Sequence, residues 1–287
     1  MDIKTICVVG AGNMGHQIAL QAAISGFTVY CTDINEVTLK KAEDFAAKWL
    51  GGRLEKGKTS AEEVDAIKSR LNFTDSLVIA AQNADFVIEA AVEILSIKRE
   101  LFAALDKICP PHAILTTNSS YIVSSKIADA TNRPDKVLNM HWFNPALMMK
   151  LVEVVQGSHV SEETVQTVLD VTRALGKVPT RVNKEIYGFV CNRIFSAITK
   201  EGCYLLDQGI ASIEDIDNAV RNGLGHPMGP LELLDLTGID LEYNVLMERF
   251  QETGDAKDKP SPAIVERYAV GKFGRKTGQG FYEYKSK

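Results

Sequence analysis

The stretch ICVVGAGNMGHQIALQAAISGFTVYCTD, from Ile6 to Asp33, constrains the fold more than any other part of this 287-residue chain. Its apolar run Ile6-Cys7-Val8-Val9 has the pattern of a parallel strand buried on both faces. Gly10, Gly12 and Gly15 follow in G-x-G-x-x-G spacing, and Ile18, Ala19, Ala22 and Ala23 recur at helical spacing until Gly26. Thr28-Val29-Tyr30-Cys31 reads as the next strand, with Asp33 at its end. Each glycine has its own task in such a pattern: a tight turn at Gly10, close backbone approach to a pyrophosphate at Gly12, and close helix–strand packing at Gly15. A helix starting near Asn13 offers free N–H groups and a partial positive charge to phosphates. Strand, turn, helix, strand and terminal acid in this order predict a dinucleotide site built from Gly10, Gly12, Asn13, Met14, Gly15 and Asp33. The bland alternative is a strand–turn–helix that needs glycine only for geometry. Asp33 accepts hydrogen bonds from a ribose and repels a 2′-phosphate, and Ile34-Asn35-Glu36 supplies no arginine, so NAD is favoured over NADP. FAD shares the fingerprint and stays open on this stretch alone.

The alternation continues down the chain. Residues 36–49 form a polar helical pattern, which the adjacent Gly51 and Gly52 are expected to weaken. Ser60 followed by Glu62 and Glu63 marks another helix start. Strand patterns recur at residues 71–73, 85–89, 113–117, 137–142, 151–155 and 178–182, with helical spacing at 94–105 and 162–175. From residue 185 the character changes: 189–206, 213–220, 231–236 and 263–270 read as helices, and 251–262 as a polar loop. The expected class is α/β, an N-terminal Rossmann-type doubly wound sheet over residues 1–184 with a C-terminal all-helical domain over 185–287.

Hydrophobic residues at 45%, charged residues at 24% and a net charge of −5 describe an ordinary globular chain, and they support neither nucleic-acid nor membrane binding. No apolar run approaches membrane-spanning length. The first strand begins too near Met1 for a targeting segment. Five cysteines without a C-x-x-C pair fit a reducing compartment, so a cytoplasmic protein is expected. No histidine or cysteine stands at metal-ligand spacing from another, and no G-x-S-x-G elbow occurs. Neither a metal nor covalent catalysis is expected.

In parallel sheets the ligand lies outside the carboxyl ends of the strands, so Asp33, Glu89, residues 118–120 and the segment after Met140 should cluster. His141 falls in that cluster. Glu153, twelve residues later in the apolar KLVEVV run, is costly to bury unpaired. A histidine is its natural partner, because the carboxylate fixes the tautomer and readies the imidazole as a general base. On these residues alone, His141 is equally readable as a satisfied core histidine, and Glu153 as pointing outward from an edge strand.

GAGNMG, VIEAAVEILSIKRELFAALDK, TTNSS, HWFNPALMMKLVEVV, YGFVCNRI, GHPMGPLELLD and KFGRKTGQGFYEY together resemble the 3-hydroxyacyl-CoA dehydrogenase family, from the first strand to the last few residues. The resemblance implies NAD-dependent oxidation of a 3-hydroxyacyl-CoA, or the reverse, with His141 as base and Glu153 as the acid that orients it. It implies that Ser120 and Asn192 hold the reacting oxygen and the acyl-CoA. It further implies that Glu93, Lys98, Ser120, Asn144 and Lys276 join the glycines and Asp33 at the cofactor, that Lys58 contacts CoA, and that the helical domain forms a homodimer.

The plainer alternatives are a turn serine at Ser120, a helix-start residue at Asn192, a surface pair at Glu93 and Lys98, and a solvated lysine at Lys276. Departures from the family pattern are Gly51-Gly52, where relatives carry a serine and a lysine, one aligned serine before Tyr121, and Tyr187 and Leu147 at usual proline positions. Tyr121, Trp142, Leu147 and Met148 are candidates for reshaping the acyl pocket. A dehydrogenase of a free hydroxy acid and a catalytically silent NAD-binding protein are the competing readings.

Overall fold

In the computed structural model, which describes residues 2–284, the first apolar run forms strand β1 (Thr5–Val9), buried over its last four residues between two parallel neighbours. Helix α1 (Gly15–Ile24) leads to β2 (Thr28–Thr32), and helices α2 (Glu36–Glu55) and α3 (Ala61–Arg70) precede β3 (Leu71–Thr74). Next come α4 (Leu77–Ala81), β4 (Phe86–Glu89), α5 (Leu95–Ile108) and β5 (Ile114–Thr117). They are followed by β6 (Val137–Trp142), β7 (Leu151–Val155), α6 (Glu162–Ala174) and β8 (Val178–Val182). One sheet holds these strands in the order β3-β2-β1-β4-β5-β6-β7-β8. The first six run parallel in the doubly wound order, β7 is antiparallel to β6, and β8 is parallel to β7. That reversal sets His141 directly opposite Glu153.

Helices cover both faces. One core gathers Ile18, Leu50, Val64 and Val168 with Met140, Trp142 and Val152; the other gathers Phe102 and Leu105 with Cys7, Val87 and Leu115. Successive strand residues point to opposite faces, so Trp142 turns away from its neighbour His141. Trp142 packs into the first core, which removes it from the candidates for shaping an acyl pocket, while Leu147 is half-buried against the edge of the same core.

The expectation of a weakened helix at Gly51-Gly52 is also corrected. α2 runs unbroken through both glycines to Glu55. Its inner face buries Leu39, Ala42, Ala46 and Leu50, Asn35 caps it by accepting from the N–H groups of Val37 and Thr38, and Arg53 lies 4.9 Å over the Trp49 ring. Packing and capping together offset the cost of about 1 kcal/mol per glycine.

The chain divides into two units, Met1–Val190 and Cys191–Lys287, and the first holds the whole sheet. In the second, α7 (Cys191–Asp207), α8 (Ile213–Gly223), α9 (Pro230–Thr237), α10 (Ile239–Thr253) and α11 (Pro262–Ala269) enclose Cys203, Ile216, Leu231, Leu234 and Ile264. α10 has no counterpart among the helices read from the sequence. Gly238, with φ of +109°, turns the chain from α9 straight into it, and the polar loop starts only at left-handed Gly254. Asp235 ties the tail down by accepting from the N–H groups of Phe281 (2.8 Å) and Tyr282 (2.9 Å) and from the Tyr284 hydroxyl (3.1 Å).

Glu242 on α10 is buried, and that burial raises its carboxyl to about 7, against a smaller pull from Lys200 in the other direction. In acid the group is neutral in folded and unfolded chains alike and costs nothing. As pH rises the unfolded chain ionises first, so stability falls between 4.5 and about 7, and the loss is complete above that window. Glu242→Gln is expected to stabilise the protein by about 3 kcal/mol at pH 8 and hardly at all at pH 4. The check is a Tm difference from wild type that grows across that window.

Candidate active site

The glycine-rich loop follows from the backbone demands of its residues. Gly10 takes φ of +97°, and a Cβ there would stand 2.6 Å from the Ala90 carbonyl oxygen. A Cβ on Gly15 would fall on the Gly10 carbonyl oxygen, so α1 packs against the strand turn only without one. Gly12 faces open space, which leaves its backbone approachable by a ligand. α1 begins at Gly15 rather than near Asn13, and its cap residue Met14 gives no side-chain hydrogen bond to the first turn. A pyrophosphate fits such an uncapped, positively polarised helix end.

Asp33 accepts from the N–H of Ala11 and from that of Asn35, each at 2.9 Å. Each carboxylate oxygen has a second lone-pair direction, so the ribose role inferred from the sequence is compatible with both bonds. Asn13 donates from Nδ2 to Asn144 Oδ1 at 3.2 Å, which joins the loop to the segment after β6.

Glu89, at the end of β4, is fully buried beside Lys98, whose exposure is 1%. Lys98 Nζ lies 2.6 Å from Glu89 Oε1 and 3.4 Å from Glu93 Oε2. Glu89 also accepts from the Ala91 N–H at 2.7 Å and from the Thr117 hydroxyl at 2.6 Å. Glu93 in turn accepts from the Ser119 hydroxyl and from the Tyr121 N–H. Lys98 is therefore a buried tie beneath Glu93, and the plain reading of a surface pair does not hold.

His141 and Glu153 form a buried pair, with Nδ1 2.9 Å from Oε2. Nε2 lies 3.0 Å from Ser120 Oγ. An ionised carboxylate only accepts, so Nδ1 carries the proton and Nε2 keeps a lone pair toward the serine hydroxyl. The other oxygen of Glu153 accepts from the Val190 N–H at 3.1 Å. Phe143 meets the imidazole edge-on at 4.6 Å between centroids, and Phe189 packs at 5.3 Å. The arrangement can take a proton from a hydroxyl placed at Nε2.

Asn139 positions Ser120, and sequence reasoning passed over it. It is fully buried on the same face of β6 as His141. Its Nδ2 donates to the carbonyls of Ser119 (3.3 Å) and Ile122 (2.9 Å), and its Oδ1 accepts from the Ser124 N–H at 2.7 Å. A polar residue inside an apolar strand was the available signal. Lys177, also missed, donates to the carbonyls of Ala146 and Met149, and burial lowers its pKa.

Three further expected residues are Lys58, Asn192 and Lys276. Lys58 follows α2, where its carbonyl accepts from Arg53 at 3.1 Å. Asn192 and Lys276 belong to the second unit, in which Lys276 pairs with Asp240. Among the described residues no group of His, Cys, Asp or Glu is arranged to hold a metal ion.

Residues 5–186 match the profile described as the NAD binding domain of 3-hydroxyacyl-CoA dehydrogenase, and residues 188–284 match that of its C-terminal domain. A Bacillus subtilis relative, named a probable 3-hydroxybutyryl-CoA dehydrogenase, is 40% identical over 287 residues, spanning 100% of this chain and 99% of its own. The Escherichia coli 3-hydroxyadipyl-CoA dehydrogenase is 38% identical over 289 residues, 100% of this chain and 60% of the relative. The solved (S)-3-hydroxybutyryl-CoA dehydrogenase of Ralstonia eutropha shares the fold with a TM-score of 0.91 at 35% identity, covering 99% of this chain and 100% of that one.

Proposed function

The chain belongs to the 3-hydroxyacyl-CoA dehydrogenase family, and from that premise we propose that it oxidises (S)-3-hydroxyacyl-CoA to 3-oxoacyl-CoA, or runs the reverse reaction. The observation that carries the reading is the buried His141–Glu153 pair with Nε2 turned to Ser120. Bound NAD would supply the acceptor for the hydride of C3. His141 takes the 3-hydroxyl proton at Nε2, Glu153 holds the imidazole in the required tautomer, and Ser120 fixes the reacting oxygen. The uncapped start of α1 with Gly10, Gly12, Asn13, Met14 and Gly15 is assigned to the pyrophosphate, and Asp33 to the ribose. Glu93, Asn144 and Lys98 complete the cofactor side. Asn192, Lys276 and Lys58 are assigned to substrate, cofactor and CoA by resemblance.

We assign residues 1–184 to NAD binding and 185–287 to substrate binding and dimerisation. The homodimer through the second unit is assigned by resemblance, and exposed Ile194, Tyr204, Ile210, Leu224 and Leu241 are apolar surface it could use. Five free thiols and the lack, among the described residues, of any helix able to cross a membrane fit the cytoplasm.

The test is NADH oxidation with acetoacetyl-CoA set beside free acetoacetate. Turnover of the thioester far above that of the free acid is expected. Turnover of the free acid alone would replace the CoA reading with that of a hydroxy-acid dehydrogenase, and no turnover of either, or of longer thioesters, would sink the enzyme.

A further inference from the structure

Two relatives with nearly equal identity to this chain are named for different acyl groups, so overall similarity does not choose the acyl group here. Side chains beside the reacting carbon do. Resting on the dehydrogenase reading above, we propose that the stacked rings of Tyr121 and Tyr187 close the acyl end of the pocket and restrict the substrate to short chains of the 3-hydroxybutyryl class.

Ser120 Oγ and His141 Nε2 stand 3.0 Å apart, so an oxygen held by both fixes the reacting carbon beside them. Consecutive Cα atoms lie about 3.8 Å apart, which puts Tyr121 one step along the chain from that point. Phe189 packs on the imidazole, and Tyr187 lies two residues before it. The two tyrosine rings stack at 4.6 Å with 28° between their planes. They thus bridge the two segments that flank His141.

Both segments are anchored from behind. The Tyr121 N–H donates to Glu93 Oε1 at 3.3 Å, while Glu185 Oε1 accepts from the Ser124 hydroxyl and the Ser125 N–H, each at 2.8 Å. Gly188 and Phe189 take φ of 73° and 49°, a pair of left-handed residues that aims this short segment back at the imidazole. Trp142 packs into the core and does not compete for this position. A longer acyl chain has to part the stack or turn aside from it.

The test compares kcat/KM for acetoacetyl-CoA, 3-oxohexanoyl-CoA and 3-oxodecanoyl-CoA in wild type, Tyr187→Ala, Tyr121→Ala and Tyr187→Phe. Wild type is expected to favour acetoacetyl-CoA. Each alanine variant should raise the long-to-short ratio by about tenfold or more, and the phenylalanine variant, which keeps the stack, should leave the ratio unchanged. Tyr121→Leu substitutes where alanine unfolds the loop. A wild type that uses the long thioester as well as the short one overturns the proposal, as do alanine variants with unchanged ratios. A merely structural pair would move all three substrates together. Wild type inactive on every thioester instead fails the dehydrogenase reading itself.

Discussion

A His141→Asn variant is expected to lose about 10²- to 10⁴-fold in kcat while binding NADH as wild type does. Asparagine is the informative replacement. Its side-chain amide still offers an N–H toward Glu153, so Oε2 of the fully buried carboxylate keeps a donor, whereas alanine would take the imidazole's donor from that oxygen and confound lost catalysis with lost stability. What asparagine cannot supply is the basic nitrogen that faces Ser120. Steady-state turnover, NADH titration by fluorescence and Tm measured on the same preparation check the expectation. Turnover within a few fold of wild type would remove His141 from the base role, and loss of NADH binding would move it to the cofactor.

The features legible in the sequence are those imposed by single residues on their own backbone. Gly10 and Gly15 occupy positions where a Cβ collides with main chain, so their spacing announces the turn before any tertiary contact is known. Asp33 is legible for a different reason, its place at the end of the second strand in that pattern. The pairing of His141 with Glu153 was readable as a chemical possibility of no greater weight than a satisfied core histidine and an outward-pointing glutamate. That they stand opposite each other depends on the reversal of β7, which no local pattern encodes. The unbroken α2 is a case of packing overriding propensity at Gly51-Gly52, and α10 one of tertiary burial recruiting a weakly patterned segment. Lys98 reads as a surface lysine until Glu89 and Glu93 are seen to enclose it. Trp142 shows a missed inference of another kind: strand alternation alone sends it to the face opposite His141.

Glu153→Gln is expected to lower kcat by about 10²- to 10⁴-fold through the tautomer of His141 rather than through charge alone. Glu153 faces at least two donors, the imidazole Nδ1–H at 2.9 Å and the Val190 N–H at 3.1 Å, and a carboxylate accepts from both. A carboxamide has one oxygen. If that oxygen stays with the imidazole, the new NH₂ meets the Val190 N–H, donor against donor in a dry site, at a cost of about 1–3 kcal/mol. If it turns to Val190, the NH₂ donates to Nδ1 and the ring proton moves to Nε2. An Nε2–H can donate to Ser120 or to a substrate oxygen but cannot take the hydroxyl proton, so the base is disabled with its geometry intact. The second arrangement relieves the clash and is the one expected. Nitrogen-15 NMR of the imidazole should show the proton on Nδ1 in wild type and on Nε2 in the variant, with little change in Tm or NADH affinity. Wild-type turnover with an Nε2–H tautomer would break the link between tautomer and rate. Lost turnover with the proton still on Nδ1 would mean that the carboxylate's charge, and not its control of the tautomer, is what the reaction needs.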